Sequence, residues 1–297
     1  MHQVTVRVPA STSNLGPGFD CLGVALRIYN EVTVSRGRGG QAGTIIDSAA
    51  KAFWRRAATV KPFAFSSSIA GEIPQSRGLG SSASVRVGIV HGLNELADRP
   101  LQRRELFELC AQLEGHPDNA APACYGGFNV VRGLERQMFT VSSQLQFVLL
   151  VPDFQVATAK ARALLPLKID RVHAVENSRN ACAITAAFAS REYQALRGAF
   201  TDHLHQPFRR KLIPFLDDVI GAAESVGALG AFLSGSGSTI CAVTLRAPEK
   251  VAHAMLAASA SPGARTLITA ADNRGARLLP IEIRNSKIEN PSHVSAL

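Results

Sequence analysis

The sequence is poor in cysteine and has no long apolar run. Its five cysteines are an odd number, lie far apart and form no CxxC pair, which excludes a disulfide framework and favours reduced, mostly buried thiols. No apolar stretch approaches the roughly 18 residues that a membrane-crossing helix needs. The first residues, MHQVTVRVPAST, have neither the basic nor the apolar segment of a signal peptide. We therefore predict a soluble, cytoplasmic protein with no membrane partner.

Aromatic side chains are also scarce, at 6% of residues, although the net charge is +9. The positive charge favours anionic partners in general, including nucleic acid, a membrane surface or a phosphorylated small molecule. The arginine pairs at 55–56, 103–104 and 209–210 are dispersed, however, and so few rings provide no stacking platform for bases. We therefore predict no nucleic-acid partner.

Length and composition predict two globular domains. The 297 residues are about twice the usual domain length, and 46% apolar with 19% charged residues argues against a disordered chain. Beyond Pro152 the pattern changes to long helices with few strands, which predicts domains 1–152 and 153–297. The residues after about Pro280 are polar and uneven, and we expect a loosely held tail there.

Apolar spacing predicts the secondary structure, because a period of two indicates strands and spacings of three and four indicate helices. The predicted strands are 3–8, 31–34, 63–65, 128–131, 145–151 and 265–269, with further strand on both sides of segment 234–238. The predicted helices are 45–56, 85–96, 103–114, 172–190, 192–203 and 211–226, with others opening at Thr158 and Pro248. Loops rich in glycine or serine are predicted at 9–18 and 35–43.

The sharpest chemical signal is the glycine-rich segment 74–84, PQSRGLGSSAS, between a strand and an amphipathic helix. Its glycines allow the backbone to approach a ligand, and the helix start offers free N–H groups and the positive end of the helix dipole. The hydroxyls of Ser81 and Ser82 can contact phosphate oxygens or magnesium. The segment matches neither GxxxxGK[ST] nor GxGxxG. Taken alone, it is equally compatible with a flexible turn capped by serine.

Two further segments favour the phosphate interpretation. Segment 9–20, PASTSNLGPGFD, follows the first strand and is denser in glycine and short polar residues than a turn requires. Segment 234–238, SGSGS, lies between two strands in the other half of the chain and could close over a transferred phosphate.

These three segments, in this order, resemble the three motifs of the GHMP kinase superfamily. Within it, the chain is most similar to the homoserine kinase family, through PASTSNLGPGFDCLG at 9–23, EGHPDNAAPACYGGF at 114–128, TAKARALLP at 158–166 and PFRRKLIP at 207–214. The likeness extends over residues 4–279. It implies an α+β fold of two domains: an N-terminal α+β domain with a left-handed βαβ crossover, and a C-terminal ferredoxin-like domain.

The resemblance also implies an activity: transfer of the γ-phosphoryl group of ATP, assisted by Mg²⁺, to the side-chain hydroxyl of L-homoserine, a step of threonine biosynthesis. A homodimer is implied as well. Related kinases of mevalonate or of another amino-alcohol are the alternative enzymes. A second alternative is a non-catalytic ligand sensor on the same fold, which we would expect to have lost Glu114 or the Gly-Ser loop.

The resemblance assigns roles to individual residues. The ATP phosphates would lie on Pro74, Gln75, Ser76, Arg77, Gly78, Leu79, Gly80, Ser81, Ser82, Ala83 and Ser84. The metal would be held by Ser82 and Glu114, and the amino acid by Asn14, Asp20, His116, Asp118, Arg162 and Arg209, with Asn119 in the same loop. The phosphate loop would be supported by Ser234, Gly235, Ser236 and Gly237.

The catalytic residues implied are Glu114, Asp118 and Arg162. Two arginines suit a substrate carboxylate because each guanidinium is a planar, bidentate donor. A dedicated general base is not required in this reaction class, since positioning and electrostatics supply most of the rate; Asp118 is our choice if one exists. Two departures from the family pattern are Thr44, where relatives often have asparagine before the adenine-lining helix, and Ser238, where they often have proline.

Overall fold

The computed structural model describes residues 2–37 and 43–280. The predicted loop 35–43 lies partly outside these residues, and the predicted tail lies wholly outside them. The strands are β1 Gln3–Ser13, β2 Leu22–Arg36, β3 Phe65–Gly71, β4 Phe128–Arg132, β5 Glu135–Phe139, β6 Gln146–Val151, β7 Gly230–Leu233, β8 Ile240–Thr244, β9 Arg265–Ala270 and β10 Arg277–Leu278. The α-helices are α1 Thr44–Arg56, α2 Ser81–Leu96, α3 Arg103–Glu114, α4 Pro117–Tyr125, α5 Thr158–Ala163, α6 Arg171–Ser190, α7 Gln206–Arg209, α8 Leu216–Ser225 and α9 Pro248–Ala258.

The first sheet has the order β10-β1-β2-β4-β5, and β3 also pairs with β2. As predicted, Val4, Val6 and Val8 of β1 are buried on one face. The predicted loop 9–18 is wrong in its first part, because β1 continues to Ser13 after a register shift between Pro9 and Ala10. Pairing with β2 satisfies the backbone of these polar residues, which composition alone assigns to a loop.

Helix α2 lies directly on β2. A side chain at Gly88 would come within 2.4 Å of the Val32 side chain, so glycine allows this close approach. Both β3 and β4 pair antiparallel with β2 and are therefore parallel to each other, and α2, α3 and α4 connect them. This is the expected βαβ unit, and the left-handedness of its crossover stays a prediction.

The second sheet has the order β7-β8-β6-β9, and its strand pairs are antiparallel. Helices α5 to α8 connect β6 to β7, and α9 connects β8 to β9, which is the ferredoxin-like arrangement. Strand β6 belongs to this sheet, whereas β10 returns to the first one. Along the chain, the change from the first sheet to the second therefore comes before β6. The domain boundary at Pro152 stays a prediction.

The predicted helix 192–203 is wrong. The segment forms only a 3₁₀ turn, Tyr193–Leu196, and Gly198 then has a φ of +76°, outside the helical region. The predicted helix 211–226 begins late, at Leu216. Among the described residues, no helix is both long and apolar enough to cross a bilayer.

Candidate active site

A cavity of about 430 Å³ opens between the two halves of the chain. Residues of β1, the turn before α2 and the starts of α2 and α4 line it from the first half, and α5, α7 and the turn after β7 line it from the second. The predicted site residues that line it are Asn14, Asp20, Gln75, Ser76, Arg77, Gly78, Leu79, Gly80, Ser81, Ser82, Glu114, His116, Asp118, Asn119, Arg162, Arg209, Gly235 and Ser236.

The glycine-rich turn wraps one end of the cavity. Gly78 and Gly80 have φ values of +75° and +66°, a left-handed conformation that favours glycine. Gly80 caps α2 and provides no side chain, so the first N–H groups of the helix face the cavity uncapped. The glycine-rich turn therefore ends in a helix N-terminus of the kind that can bind an anion.

Not every residue of segment 74–84 contributes to this surface. Among the residues described, Pro74, Ala83 and Ser84 do not line the cavity. Ser84 is fully buried; its hydroxyl donates to the Ser81 carbonyl and accepts from the Asn30 side chain, which makes it structural. Arg77 does line the cavity, and its side chain donates to the carbonyl groups of Pro152 and Asp153, which ties the turn to the end of β6.

The two predicted metal ligands are neighbours. The Ser82 hydroxyl donates to Oε2 of Glu114 at 3.1 Å. Arg86, one turn further along α2, donates from Nη1 to the Ser82 hydroxyl at 2.6 Å and forms an ion pair with the same Oε2. The sequence reasoning missed Arg86. Arg86 follows Ser82 by four residues, and this spacing predicts that both lie on one face of α2. The approach of Glu114 from α3 could not be predicted from spacing.

An acidic cluster forms the centre of the cavity. Ligand atoms of Asp20, His116 and Asp118 lie within 4.8 Å of one another. The Asp20 N–H donates to the Asn14 side chain, which fixes this turn. His116 caps α4 and Asp118 lies in its first turn, so the predicted loop 116–119 is in fact a helix start, with Pro117 at the first position.

Asp118 is 1% exposed, and its Oδ1 has no hydrogen-bond partner among the described residues. Burial, and secondarily the Asp20 carboxylate, raises the pKa of Asp118 to about 7. Burial and the neighbouring Arg162 lower the pKa of His116. The site therefore holds an acid that titrates near neutral pH beside an imidazole whose charged form is disfavoured.

The two predicted carboxylate-binding arginines both reach the cavity. Arg162 donates to Oδ1 of Asp20 at 2.5 Å and to Nδ1 of His116 at 2.8 Å. Arg209 is 2% exposed and donates to the Gly235 carbonyl at 2.9 Å. Burial, and secondarily Arg162, lowers the pKa of Arg209 to about 10.

Phe19 was missed by the sequence reasoning and contacts both arginines. The guanidinium carbons of Arg162 and Arg209 each lie 5.2 Å from the centre of its ring. The ring favours each of these positive charges through a cation–π interaction. Its place in GPGFD, directly before Asp20, is the signal that could have identified it.

The turn after β7 connects the second half of the chain to the glycine-rich turn. The Ser234 hydroxyl donates to the Gly78 carbonyl at 2.7 Å, and Gly235 accepts a hydrogen bond from the Asn14 side chain at 3.0 Å. A side chain at Gly78 would come within 2.0 Å of the Ser234 carbonyl oxygen. Among the described residues, Ser234 and Gly237 lie behind the cavity wall rather than in it.

The far end of the cavity is apolar. Its lining residues are Ile45, Ile46, Ile69 and Val85, with Thr44 beside them. The resemblance placed Thr44 directly before the adenine-lining helix, but Ile69 and Val85 come from β3 and α2, and no motif joined them to that pocket. An apolar pocket next to an anion-binding helix start suits a flat ring attached to a phosphate chain.

Comparison with known proteins gives a consistent result. Residues 43–127 match the family described as GHMP kinases N terminal domain, and residues 184–261 match GHMP kinases C terminal. Homoserine kinase from Clostridium botulinum is 38% identical over 256 residues, 81% of this chain and 86% of that protein. Homoserine kinase from Caldicellulosiruptor bescii is 36% identical and covers 96% of this chain and 99% of its own length. The crystal structure of homoserine kinase from Cytophaga hutchinsonii superposes with a TM-score of 0.86 at 25% identity, over 94% of this chain and 98% of that one.

Proposed function

The chain belongs to the homoserine kinases of the GHMP kinase family, and on that premise we propose that it transfers the γ-phosphoryl group of ATP to the side-chain hydroxyl of L-homoserine. One observation carries the proposal. A single cavity joins an anion-binding helix N-terminus to a pocket that offers carboxylates and two guanidiniums. The product is O-phospho-L-homoserine.

The phosphate end would hold the nucleotide. Backbone N–H groups of residues 78–82 and the dipole of α2 favour the negative charge of the triphosphate. The adenine ring would enter the apolar end beside Ile45, Ile69 and Val85. Thr44 would contact the base in place of the expected asparagine. Direct phosphoryl transfer requires little covalent chemistry, so alignment of the γ-phosphate with the hydroxyl is the main task of these residues.

Ser82 and Glu114 would hold Mg²⁺. Their oxygens are hard ligands of the kind that Mg²⁺ prefers, and they already lie 3.1 Å apart at the edge of the cavity. The residues therefore fit this ion. When bound there, it would neutralise phosphate charge during transfer.

The other end suits a zwitterionic amino acid. The acidic pair Asp20 and Asp118 would accept the ammonium group, and Arg162 and Arg209 would donate to the carboxylate. Mevalonate has a carboxylate but no ammonium, so it would leave the acidic pair without a partner inside a half-buried pocket. This favours an amino acid over mevalonate, and the two arginines disfavour a neutral sugar.

In this structure Arg162 pairs with Asp20, one of the two carboxylates proposed for the substrate ammonium. Binding would exchange partners: the substrate ammonium pairs with Asp20, and Arg162 turns to the carboxylate. Each charge keeps a partner through this exchange, which limits its energetic cost.

Asp118 would accept the hydroxyl proton. Its free, buried Oδ1 can take a hydrogen bond from the substrate hydroxyl, and its pKa of about 7 suits a base that works near neutral pH. Glu114 and Arg162 contribute charge and alignment rather than proton transfer.

The experiment is a coupled ADP-release assay with Mg²⁺ and a panel of L-homoserine, mevalonate and 3-aminopropan-1-ol. We expect turnover with L-homoserine at a kcat/KM at least about a hundredfold above the other two, because each lacks one of the two charged groups that the pocket binds. Faster turnover of another alcohol would reject the substrate. No turnover, but tight binding of ADP and homoserine, would favour the ligand sensor.

The proposal extends to surroundings and assembly. All five cysteines are free thiols, which is consistent with a cytoplasmic location. We propose a homodimer, which light scattering would test, and no nucleic-acid partner. Salt-sensitive binding to random duplex DNA would contradict the last point.

A further inference from the structure

The cluster of Ser82, Arg86 and Glu114 contains a cation of its own at the proposed metal position. One guanidinium nitrogen, Nη1 of Arg86, bonds both Ser82 and Glu114, and it engages Oε2, the carboxylate oxygen that also accepts from Ser82. The two charged side chains are only 18% and 13% exposed, so solvent screens this pair weakly. Both oxygens that would ligate the metal already have a positively charged donor.

Arg86 approaches the ligands from behind. Ser82 and Glu114 line the cavity, whereas Arg86 is not among the lining residues of the described chain. A cation bound from the cavity side would therefore share these two oxygens with the guanidinium. Like charges that share one carboxylate repel each other, and the repulsion is strong where water is partly excluded.

Resting on the proposed function, we propose that Arg86 is a resident competitor for the metal position: it aligns Ser82 and Glu114 and weakens their affinity for a divalent cation. The guanidinium must share or release Oε2 of Glu114 when the ion binds. Part of the charge that Mg²⁺ supplies to the nucleotide site is thus already present in the fold. The affinity for the nucleotide should therefore depend less on the metal than it would if Ser82 and Glu114 were present without Arg86.

The test measures ADP affinity by titration calorimetry, once with excess Mg²⁺ and once with EDTA. The dissociation constant in EDTA divided by that in Mg²⁺ gives the contribution of the metal to ADP binding. ADP is used because it has no γ-phosphoryl group to transfer, so no turnover occurs. In wild type we expect a ratio below about ten, because Arg86 offsets the metal. In R86M the ratio should rise at least about tenfold: ADP binds more weakly in EDTA, since a cation is lost, and more tightly with Mg²⁺.

Two comparisons isolate the mechanism. R99M removes the same charge just beyond the end of α2, where Arg99 is 69% exposed and pairs with Glu95, and it should keep the wild-type ratio. In an E114Q background, R86M should change the ratio much less, because the carboxylate that Arg86 shares with the metal is gone. A simple packing role for Arg86 predicts the opposite sign, a weaker metal contribution in R86M.

An unchanged or lower ratio in folded R86M would overturn the inference. If R86M does not fold, the wild-type protein still decides the question, because a ratio above about ten would mean that Arg86 offsets little of the metal's charge. R86K retains the charge and should stay near wild type. Failure of the wild-type protein to bind ADP in either buffer would instead reject the proposed function.

Discussion

The buried carboxyl of Asp118 predicts a specific dependence of stability on pH. Its pKa is 3.8 when exposed and about 7 in the folded protein, because the side chain is buried and lies beside Asp20. The folded state therefore binds the proton more tightly than the unfolded state. The contribution of Asp118 to the free energy of unfolding is therefore greatest below about pH 4. It decreases as the pH rises towards 7 and stays constant above that pH.

The size of the effect follows from the shift. A change from 3.8 to about 7 corresponds to about 4 kcal/mol between the protonated and charged forms. Between about pH 5.5 and pH 8.5, Asp118 should cost the protein about 2 kcal/mol of unfolding free energy. The groups that face it are Asp20, whose charge raises the pKa, and Arg162, whose charge lowers it.

The assay is urea unfolding of wild type and D118N across this pH range. The substitution removes the titrating carboxyl and keeps the shape of the side chain. We expect the stability difference between D118N and wild type to grow by about 2 kcal/mol from low to high pH. D217N, which removes a carboxylate that is 69% exposed, should follow the wild-type profile. Parallel profiles for wild type and D118N would refute the reasoning.

Three further substitutions test other parts of the site. E114Q should lower kcat at least about a hundredfold with the circular dichroism spectrum unchanged, because a charged metal ligand is lost at the cavity edge; wild-type turnover would refute the role. R209K should raise the KM for L-homoserine at least about tenfold and leave ADP affinity intact, because a bidentate fork becomes a point charge. If R209K weakened ADP binding instead, Arg209 would have to be assigned to the nucleotide site. G78A should weaken ADP binding and lower stability by about 1–3 kcal/mol, since its Cβ would lie 2.0 Å from the Ser234 carbonyl oxygen; unchanged ADP titration and thermal melting would contradict the tight contact.

Local patterns were sufficient where one element decides the outcome. The alternation of Val4, Val6 and Val8 predicted a half-buried strand, and α3 runs over Arg103–Glu114 as predicted. The glycine-rich turn was placed correctly at the start of a helix because Gly78 and Gly80 are followed at once by an amphipathic pattern. In each case the physical cause lies within a few residues of its effect.

Features that depend on distant partners could not be predicted in the same way. Segment 9–13 has the composition of a loop, but β2 provides a pairing edge for it. Pro122 lies inside α4, which a local rule would exclude, and the buried surroundings outweigh that cost. The joint contact of Phe19 with two arginines requires α5 and α7 to converge on one ring, which no spacing in the sequence encodes.

The exchange proposed for Arg162 explains why the site lies between two halves of the chain rather than within one. Asp20 comes from the first half and Arg162 from the second, so their ion pair at 2.5 Å joins the two halves. A substrate that brings both an ammonium and a carboxylate can replace this contact without leaving a charge unpaired. A substrate with only one of these groups leaves either Asp20 or Arg162 uncompensated. Selection for an amino acid is therefore a property of the contact between the halves, since neither half alone holds both charges of the pair.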